Sequence, residues 1–218
     1  MHVLDDPWDL SDRARGFLAR VGDRVEQADR PSEFMTVLDR RGKRVPAPFA
    51  LVLRREGYAR RFGGLRYPVR QWIDFPDGPL RYDRDWEFTL VDHARQDVRG
   101  CAFEVVGECV ASPVPYMQHV DGRFGIAEAE TFAFVPLYAS MLQVIESHAL
   151  LDACVDAERL AVPPFGAAPE EFAASLPVAA EASGPRQRWY ADDRYVVRET
   201  FLRTAAEPRR TGWQVWAW

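Results

Sequence analysis

The sequence predicts an α+β fold, an antiparallel sheet flanked by helices on one side, with an N-terminal helix and a strand-rich C-terminal extension. Two observations carry this prediction. Apolar residues recur at helical spacing before Gly63-Gly64 and mostly at alternate positions after that pair. The alternating segments are joined by turns, and adjacent strands joined without crossover helices pair antiparallel.

The N-terminal helix is predicted over residues 11–29, where Ala14, Phe17 and Leu18 begin a run of apolar residues at helical spacing. Ser11 or Asp9 is a suitable N-cap, and Pro31 ends the pattern. A short strand at 34–38 and a charged turn at 40–44 follow.

The second helix is predicted over residues 49–62, after the helix-starting prolines Pro46 and Pro48. Gly63-Gly64 supplies the left-handed C-cap that ends it. A phosphate-binding loop is not the interpretation here, because no Lys-Ser/Thr follows the glycines and the order of helix and strand is reversed.

Strands follow, with Asp77-Gly78 and Asp121-Gly122 as turns and Gly107 as a bulge. Their predicted ranges are 65–75, 86–90, 102–106, 116–120 and 124–126. A helix is predicted from about 138 to 155, with Ser140 or Pro136 near its start.

The whole chain, 1–218, is expected to form a single domain. Residues 156–186 are predicted to be a linker-like crossing segment with one short helix at 169–175. Residues 187–218 form the strand-rich extension, with strands at 189–191, 194–202 and 213–218.

Composition and charge narrow the function classes. The net charge of -5 argues against a direct nucleic-acid partner and suits a basic protein partner. Three cysteines are a poor disulfide framework, and neither a secretory leader nor a membrane-spanning apolar run is seen. We therefore expect a cytoplasmic protein without a membrane partner.

The residues that carry chemistry form no recognised motif. CxxC, HxH, HExxH and GxSxG are missing from the sequence, so no catalytic residue, metal ligand or cofactor is predicted. One alternative stays open: Cys101 and His119 meet on neighbouring strands, with a carboxylate, in the pocket of a small cytoplasmic enzyme. The simpler interpretation makes Cys101 and Cys109 small buried residues.

Several short motifs resemble those of one family. They are the helix end Tyr58-Ala59-Arg60-Arg61-Phe62-Gly63-Gly64-Leu65, the stretch Val105-Val106-Gly107-Glu108, the hairpin Val120-Asp121-Gly122-Arg123, and Leu137-Tyr138-Ala139-Ser140-Met141 before Leu142-Gln143-Val144-Ile145-Glu146. Together they make residues 45–155 similar to the SUKH superfamily, whose members are related to cell-wall-assembly regulators and bacterial immunity proteins. The N-terminal helix and the tail after Pro185 extend beyond that pattern.

The resemblance implies a function. Many bacterial members of that superfamily are immunity proteins that bind and neutralise a cognate polymorphic toxin, and others are scaffold or regulatory subunits. We therefore expect a non-catalytic protein-binding module that occludes a toxin domain sterically. The candidate contact surface is a rim of aromatic and acidic residues, whose members are Tyr82, Asp83, Asp85, Trp86, Glu87 and Asp121.

Overall fold

Within residues 1–27, 35–76, 78–108, 114–128, 131–201 and 210–218, which the computed structural model describes, there are four α-helices and thirteen β-strands. The helices are α1 (Asp12–Val21), α2 (Phe49–Phe62), α3 (Met141–Ala153) and α4 (Pro169–Ala174). None of the helices in these ranges has both the length and the apolar character needed to cross a bilayer.

The first nine strands form one sheet. They are β1 (Asp23–Arg24), β2 (Thr36–Leu38), β3 (Arg44–Pro46), β4 (Leu65–Phe75), β5 (Gly78–Asp97), β6 (Gly100–Glu108), β7 (Tyr116–His119), β8 (Phe124–Ala127) and β9 (Phe134–Tyr138). The order across the sheet is β1-β4-β5-β6-β7-β8-β9, and β2 pairs with β3 and β5. All pairings are antiparallel except the bridge between Leu38 and Arg95, which is parallel.

The strand-rich tail forms a second sheet instead of extending the first. Its strands are β10 (Glu158–Leu160), β11 (Gln187–Ala191), β12 (Tyr195–Phe201) and β13 (Arg210–Ala217), in the order β10-β13-β12-β11. The crossing segment also contains a 3-10 helix (Pro164–Gly166) and α4, which packs Phe172 against Tyr195 with the ring centroids 5.3 Å apart.

Helix α1 is shorter than predicted. Ser11 caps it as expected, since its hydroxyl accepts the N–H of Ala14, but the helix ends at Val21. The N–H of Gly22 bonds the carbonyl of Leu18, and the chain then extends so that Asp23 and Arg24 pair with β4. Residues 22–27 of the predicted helix are not helical, and residues 28–34, which hold its last two positions and the first position of the predicted strand, lie outside the described residues.

Helix α2 has the predicted bounds, and Gly63-Gly64 ends it as predicted. The N–H of Gly63 bonds the carbonyl of Ala59, and Gly64 takes a φ of 76°. The hairpin at Asp121-Gly122 is also confirmed, between β7 and β8. The pairing of β5 with β6 is irregular beside Gly107, where register shifts between Glu87 and Leu90.

The predicted helix at 138–155 begins too early. Residues 134–138 form β9, which pairs with β8, and α3 starts only at Met141 behind its N-cap Ser140. The run Phe134–Tyr138 is aromatic and β-branched, a composition that favours strands, and its pairing partner β8 comes after the hairpin.

Helices α1, α2 and α3 pack on one face of the first sheet, which confirms the predicted fold class. Phe17 of α1 meets Tyr67 of β4 edge-on at 5.1 Å, and Tyr58 of α2 meets Phe103 of β6 at 5.4 Å. From α3, His148 Nδ1 lies 3.1 Å from the hydroxyl of Tyr67. A small cluster covers part of the other face: Ala102, Met117, Ala127 and Phe134.

Helix α3 is buried on almost every side, and it lies between the two sheets. Ten of its thirteen residues are buried. Ser147 accepts a hydrogen bond of 3.1 Å from Trp189 Nε1 on β11, and Trp189 belongs to the same hydrophobic core as the first sheet. The second sheet is thus attached to the first through this helix.

Candidate functional site

The predicted contact rim is divided by the pleat of β5. Residues at even positions, including Tyr82 and Trp86, share the face that continues into the core, while Asp83, Asp85 and Glu87 point to the other face. Trp86 is 6% exposed, and its ring lies 4.4 Å from that of His148. The tryptophan therefore belongs to the core and offers no surface to a partner.

The carboxylates of the rim lie in separate, partly paired positions. Asp85 is 3.5 Å from Arg66, and Asp83 is 3.9 Å from Arg81. Asp121 lies at the other end of the sheet, near the level of Arg95 on β5. Arg95 is eight residues beyond Glu87 on that strand, so Asp121 and Glu87 are roughly 25 Å apart. The structure does not bring the six residues into one surface.

The alternative Cys101–His119 pair is not formed. His119 is the cross-strand partner of Ala102, so its ring shares the face of Ala102, while Cys101 points to the opposite face and into the core. Burial, with a contribution from the charge of Asp97, raises the pKa of the Cys101 thiol. Cys109 lies outside the described residues.

His119 has a different carboxylate partner. Its Nδ1 lies 2.8 Å from Oδ1 of Asp121, and its ring stacks on Phe134 at 4.9 Å. Burial alone would raise the pKa of Asp121, but hydrogen bonds from Arg123 and His119 outweigh it and hold that pKa well below its usual value. Nε2 of His119 has no partner among the described residues, but the adjoining cavity of about 10 Å³ holds no more than a water molecule.

A much larger cleft of about 620 Å³ opens on the helix side of the sheet. Its walls are α2, the β7–β8 hairpin, the start of α3 and the N-terminal segment. The lining residues are Asp9, Ala50, Leu53, Arg54, Gly57, Tyr58, Arg61, Phe62, Gln118, Val120, Gly122, Ser140, Met141 and Leu142. A volume of this size is typical of sites that enclose a ligand.

Helix α2 contributes two stripes of residues. Leu51, Arg55 and Tyr58, spaced four and three residues apart, are buried against the sheet. A second stripe at the same helical spacing, Ala50, Leu53, Arg54, Gly57 and Arg61, faces the cleft. Leu53 is 52% exposed, and Phe49, one turn earlier, is 74% exposed. The mouth of the cleft therefore carries apolar surface that the fold itself does not cover.

The charges of the cleft do not cancel. Arg61 Nη2 is 2.5 Å from Asp9, so these two residues neutralise each other. Arg54 donates its Nε hydrogen to the carbonyl of Val120 at 3.0 Å and has no carboxylate partner among the described residues. The lining is thus left with one positive charge, on Arg54.

Two further polar groups face the cleft. Ser140 caps α3 by accepting the N–H of Gln143 at 3.2 Å. The amides that precede Gln143 in the first turn have no intrahelical partners, as at the start of any helix. Gln118 is 3% exposed, and its Oε1 has no partner among the described residues.

Sequence reasoning did not predict this cleft. None of the six residues of the predicted rim lines it, although Asp121 lies in the chain between the lining residues Val120 and Gly122. The signal in the sequence was the pair of apolar residues Phe49 and Leu53, which lie on α2 outside the stripe that the sheet buries. Nothing in the sequence indicates which other segments meet that stripe.

Metal ligands do not cluster in the parts of the chain described here: no group of three or more His, Cys, Asp or Glu side chains could hold an ion there. No protein-family model matches the chain. Neither the curated proteins nor the solved structures include one with a significant match to it.

Proposed function

We propose that this protein is a non-catalytic protein-binding module, and that a segment of its partner occupies the cleft beside α2. The observation that carries the proposal is the uncovered apolar side chain of Leu53 in the lining of a 620 Å³ cleft, with exposed Phe49 one turn earlier on the same helix. Exposed apolar residues that rim a concave site are typical of protein and ligand interfaces.

The kind of partner follows from the resemblance of residues 45–155 to the SUKH superfamily. We propose that the partner is the domain of a cognate polymorphic toxin, and that this chain works as its immunity protein by steric occlusion in the cytoplasm. Two buried free thiols, Cys101 and Cys154, are consistent with a reducing compartment. The enzyme alternative has less support, because Cys101 and His119 lie on opposite faces of the sheet.

The proposal is tested by capture of the products of neighbouring genes on the immobilised full-length chain. One of those products should bind, and Leu53→Asp should abolish its capture, since an unpaired charge would enter the apolar mouth. Val162→Asp is the matched control, because Val162 is 64% exposed and lies away from the cleft. Failure to capture any product, or equal capture by both variants, would overturn the proposal.

A further inference from the structure

The cleft specifies the chemistry of what enters it. Resting on the proposed function, we infer that the partner segment carries a carboxylate beside an apolar side chain. The carboxylate meets Arg54 and the first amides of α3, and the apolar side chain meets Leu53. The occupant is therefore an acidic–apolar peptide segment.

The positive charge of Arg54 is available to an anion. Its Nε is held by the carbonyl of Val120, which fixes the guanidinium beside Gly122, where a Cβ would lie 3.6–3.7 Å from its atoms. The terminal nitrogens make no hydrogen bond within the described part of the chain, whereas those of Arg61 are taken by Asp9 and by backbone carbonyls. A carboxylate is the complementary group, because guanidinium nitrogens donate two parallel hydrogen bonds to it.

The start of α3, like Arg54, attracts an anion. This helix has thirteen residues, and Ser140 satisfies the amide of Gln143 but not those of Met141 and Leu142. Free amides at the positive end of a helix dipole attract anions. Gln118 pairs with Phe124 on β8, and Phe124 pairs with Tyr138 on β9, two residues before Ser140. Gln118 is therefore two strands, or about 10 Å, from the strand that leads into α3.

Gln118 is the second, independent sign of a ligand. Its side chain is almost completely buried, and Oε1 lacks a donor among the described residues. Buried carboxamide oxygens are nearly always hydrogen-bonded, so this residue is a polar position in the cleft lining that the described part of the fold leaves unsatisfied. The choice of a peptide segment over a fatty acid follows from the proposed function.

The apolar half of the occupant meets a continuous apolar wall. Leu53 and Ala50 stand on α2, and Met141 and Leu142 stand on the first turn of α3 across the cleft. An apolar side chain between these two helices would remove Leu53 from water. A purely acidic segment would leave this apolar surface in contact with water. The cleft therefore favours a segment that carries both an acidic and an apolar side chain.

The test is to pan a display library of random short peptides against the full-length protein. The enriched peptides should combine Asp or Glu with Leu, Ile, Met or Phe. The best peptide, labelled for fluorescence anisotropy, should bind Arg54→Gln about tenfold or more weakly, because a charge-assisted hydrogen bond is lost. A second peptide carries the corresponding amide in place of the acidic residue. It should bind the wild-type protein about tenfold more weakly than the acidic peptide does, whereas the two peptides should bind Arg54→Gln with much more similar affinity.

A pair of glycine variants locates the binding site. Gly57 lines the cleft on α2, and a Cβ there meets no atom within 4 Å, so Gly57→Leu adds a side chain at the cleft from a position where the Cβ has room. Gly16→Leu is the matched control, since Gly16 is equally open on α1 but does not line the cleft. Peptide binding should fall at least tenfold in Gly57→Leu and stay unchanged in Gly16→Leu.

Several outcomes would overturn the inference: no enrichment, enrichment without acidic residues, undiminished binding to Arg54→Gln, or undiminished binding to Gly57→Leu. If a neighbouring gene product is captured in spite of such a result, the proposed function stands and the inference alone fails. If acidic–apolar peptides bind as expected but no gene product is captured, the proposed function fails and the chemistry of the cleft stands.

Discussion

Oδ1 of Asp152, on the buried helix α3, accepts hydrogen bonds from both the backbone N–H and the Nε of Arg70, at 3.1 and 3.0 Å. At Arg70, one edge of β4 pairs with β5. The bond from the backbone N–H of Arg70 to Asp152 satisfies the opposite edge of the strand. The other buried polar residues of α3 each bond a different element: Glu146 binds Ser11, Ser147 binds Trp189, and His148 binds Tyr67. These bonds fix how the helix is placed among its neighbours.

Replacing Asp152 with asparagine should lower the free energy of unfolding by about 3 kcal/mol near neutral pH, because Arg70 and Arg20 lose a buried carboxylate. Burial alone would raise the pKa of Asp152, but hydrogen bonds from Arg70 and Arg20 outweigh it and lower that pKa. The carboxylate's contribution is therefore present above the unfolded pKa of about 4 and is lost as the pH falls through the folded pKa. Urea denaturation at a series of pH values measures both effects.

The matched control for that experiment is Asp156→Asn. Asp156 also binds Arg70, at 2.7 Å, but its side chain is 66% exposed. An exposed ion pair contributes at most about 1 kcal/mol. Equal costs for the two variants, or a difference between wild type and Asp152→Asn that does not shrink in acid, would contradict the role given to Asp152.

Replacing Ser147 with alanine should cost about 1–3 kcal/mol, because the buried Nε1–H of Trp189 would lose its acceptor. The hydroxyl also bonds Gln187 on the same strand, so this variant weakens the attachment of the second sheet. Ser175→Ala is the control, since within the described part of the chain its hydroxyl bonds only the nearby carbonyl of Phe172. Denaturation followed by tryptophan fluorescence gives both values, and a smaller loss for Ser147→Ala than for Ser175→Ala would refute the prediction.

Gly64→Ala should destabilise the protein more than Gly42→Ala. Both glycines have a left-handed φ, 76° and 75°, which costs about 1–2 kcal/mol for an alanine. A Cβ at Gly42 meets nothing within 4 Å, whereas one at Gly64 would overlap the carbonyl oxygen of Val25. The difference between the two losses of stability, measured by thermal unfolding, reports that overlap. Equal losses would mean that the chain at Val25 shifts without cost.

The thiols of Cys101 and Cys154 should resist a disulfide reagent in the native protein. Both side chains are buried, and burial raises the pKa of both thiols, so little thiolate is exposed. The measurement uses Cys109→Ser, which leaves only these two cysteines. Reaction should begin only when denaturant unfolds the chain, and rapid modification of Cys101 in the folded protein would revive the enzyme alternative.

The sequence correctly predicted the elements that are bounded by prolines, glycines or turn residues. Helix α2 has the predicted bounds, since prolines precede it and Gly63-Gly64 follow it, and the hairpin at Asp121-Gly122 lies where its turn residues indicated. The end of α1 was missed because apolar residues continue at helical spacing past Gly22, while pairing with β4 takes the chain into a strand. Strand β9 was missed because its pairing with β8 is a tertiary preference, and the apolar run into α3 masks the change of period.

The sequence alone determined the α+β class, the second helix and the hairpin at Asp121-Gly122, because these depend on periodicity, caps and turn residues that act within a few positions. The tertiary structure decided which residues share a face and which segments meet. It put Trp86 in the core, and it separated Cys101 from His119 by the pleat of β6. It also formed the cleft from residues as distant as Asp9 and Leu142. Such contacts depend on how the helices pack on the sheet, which no local pattern specifies.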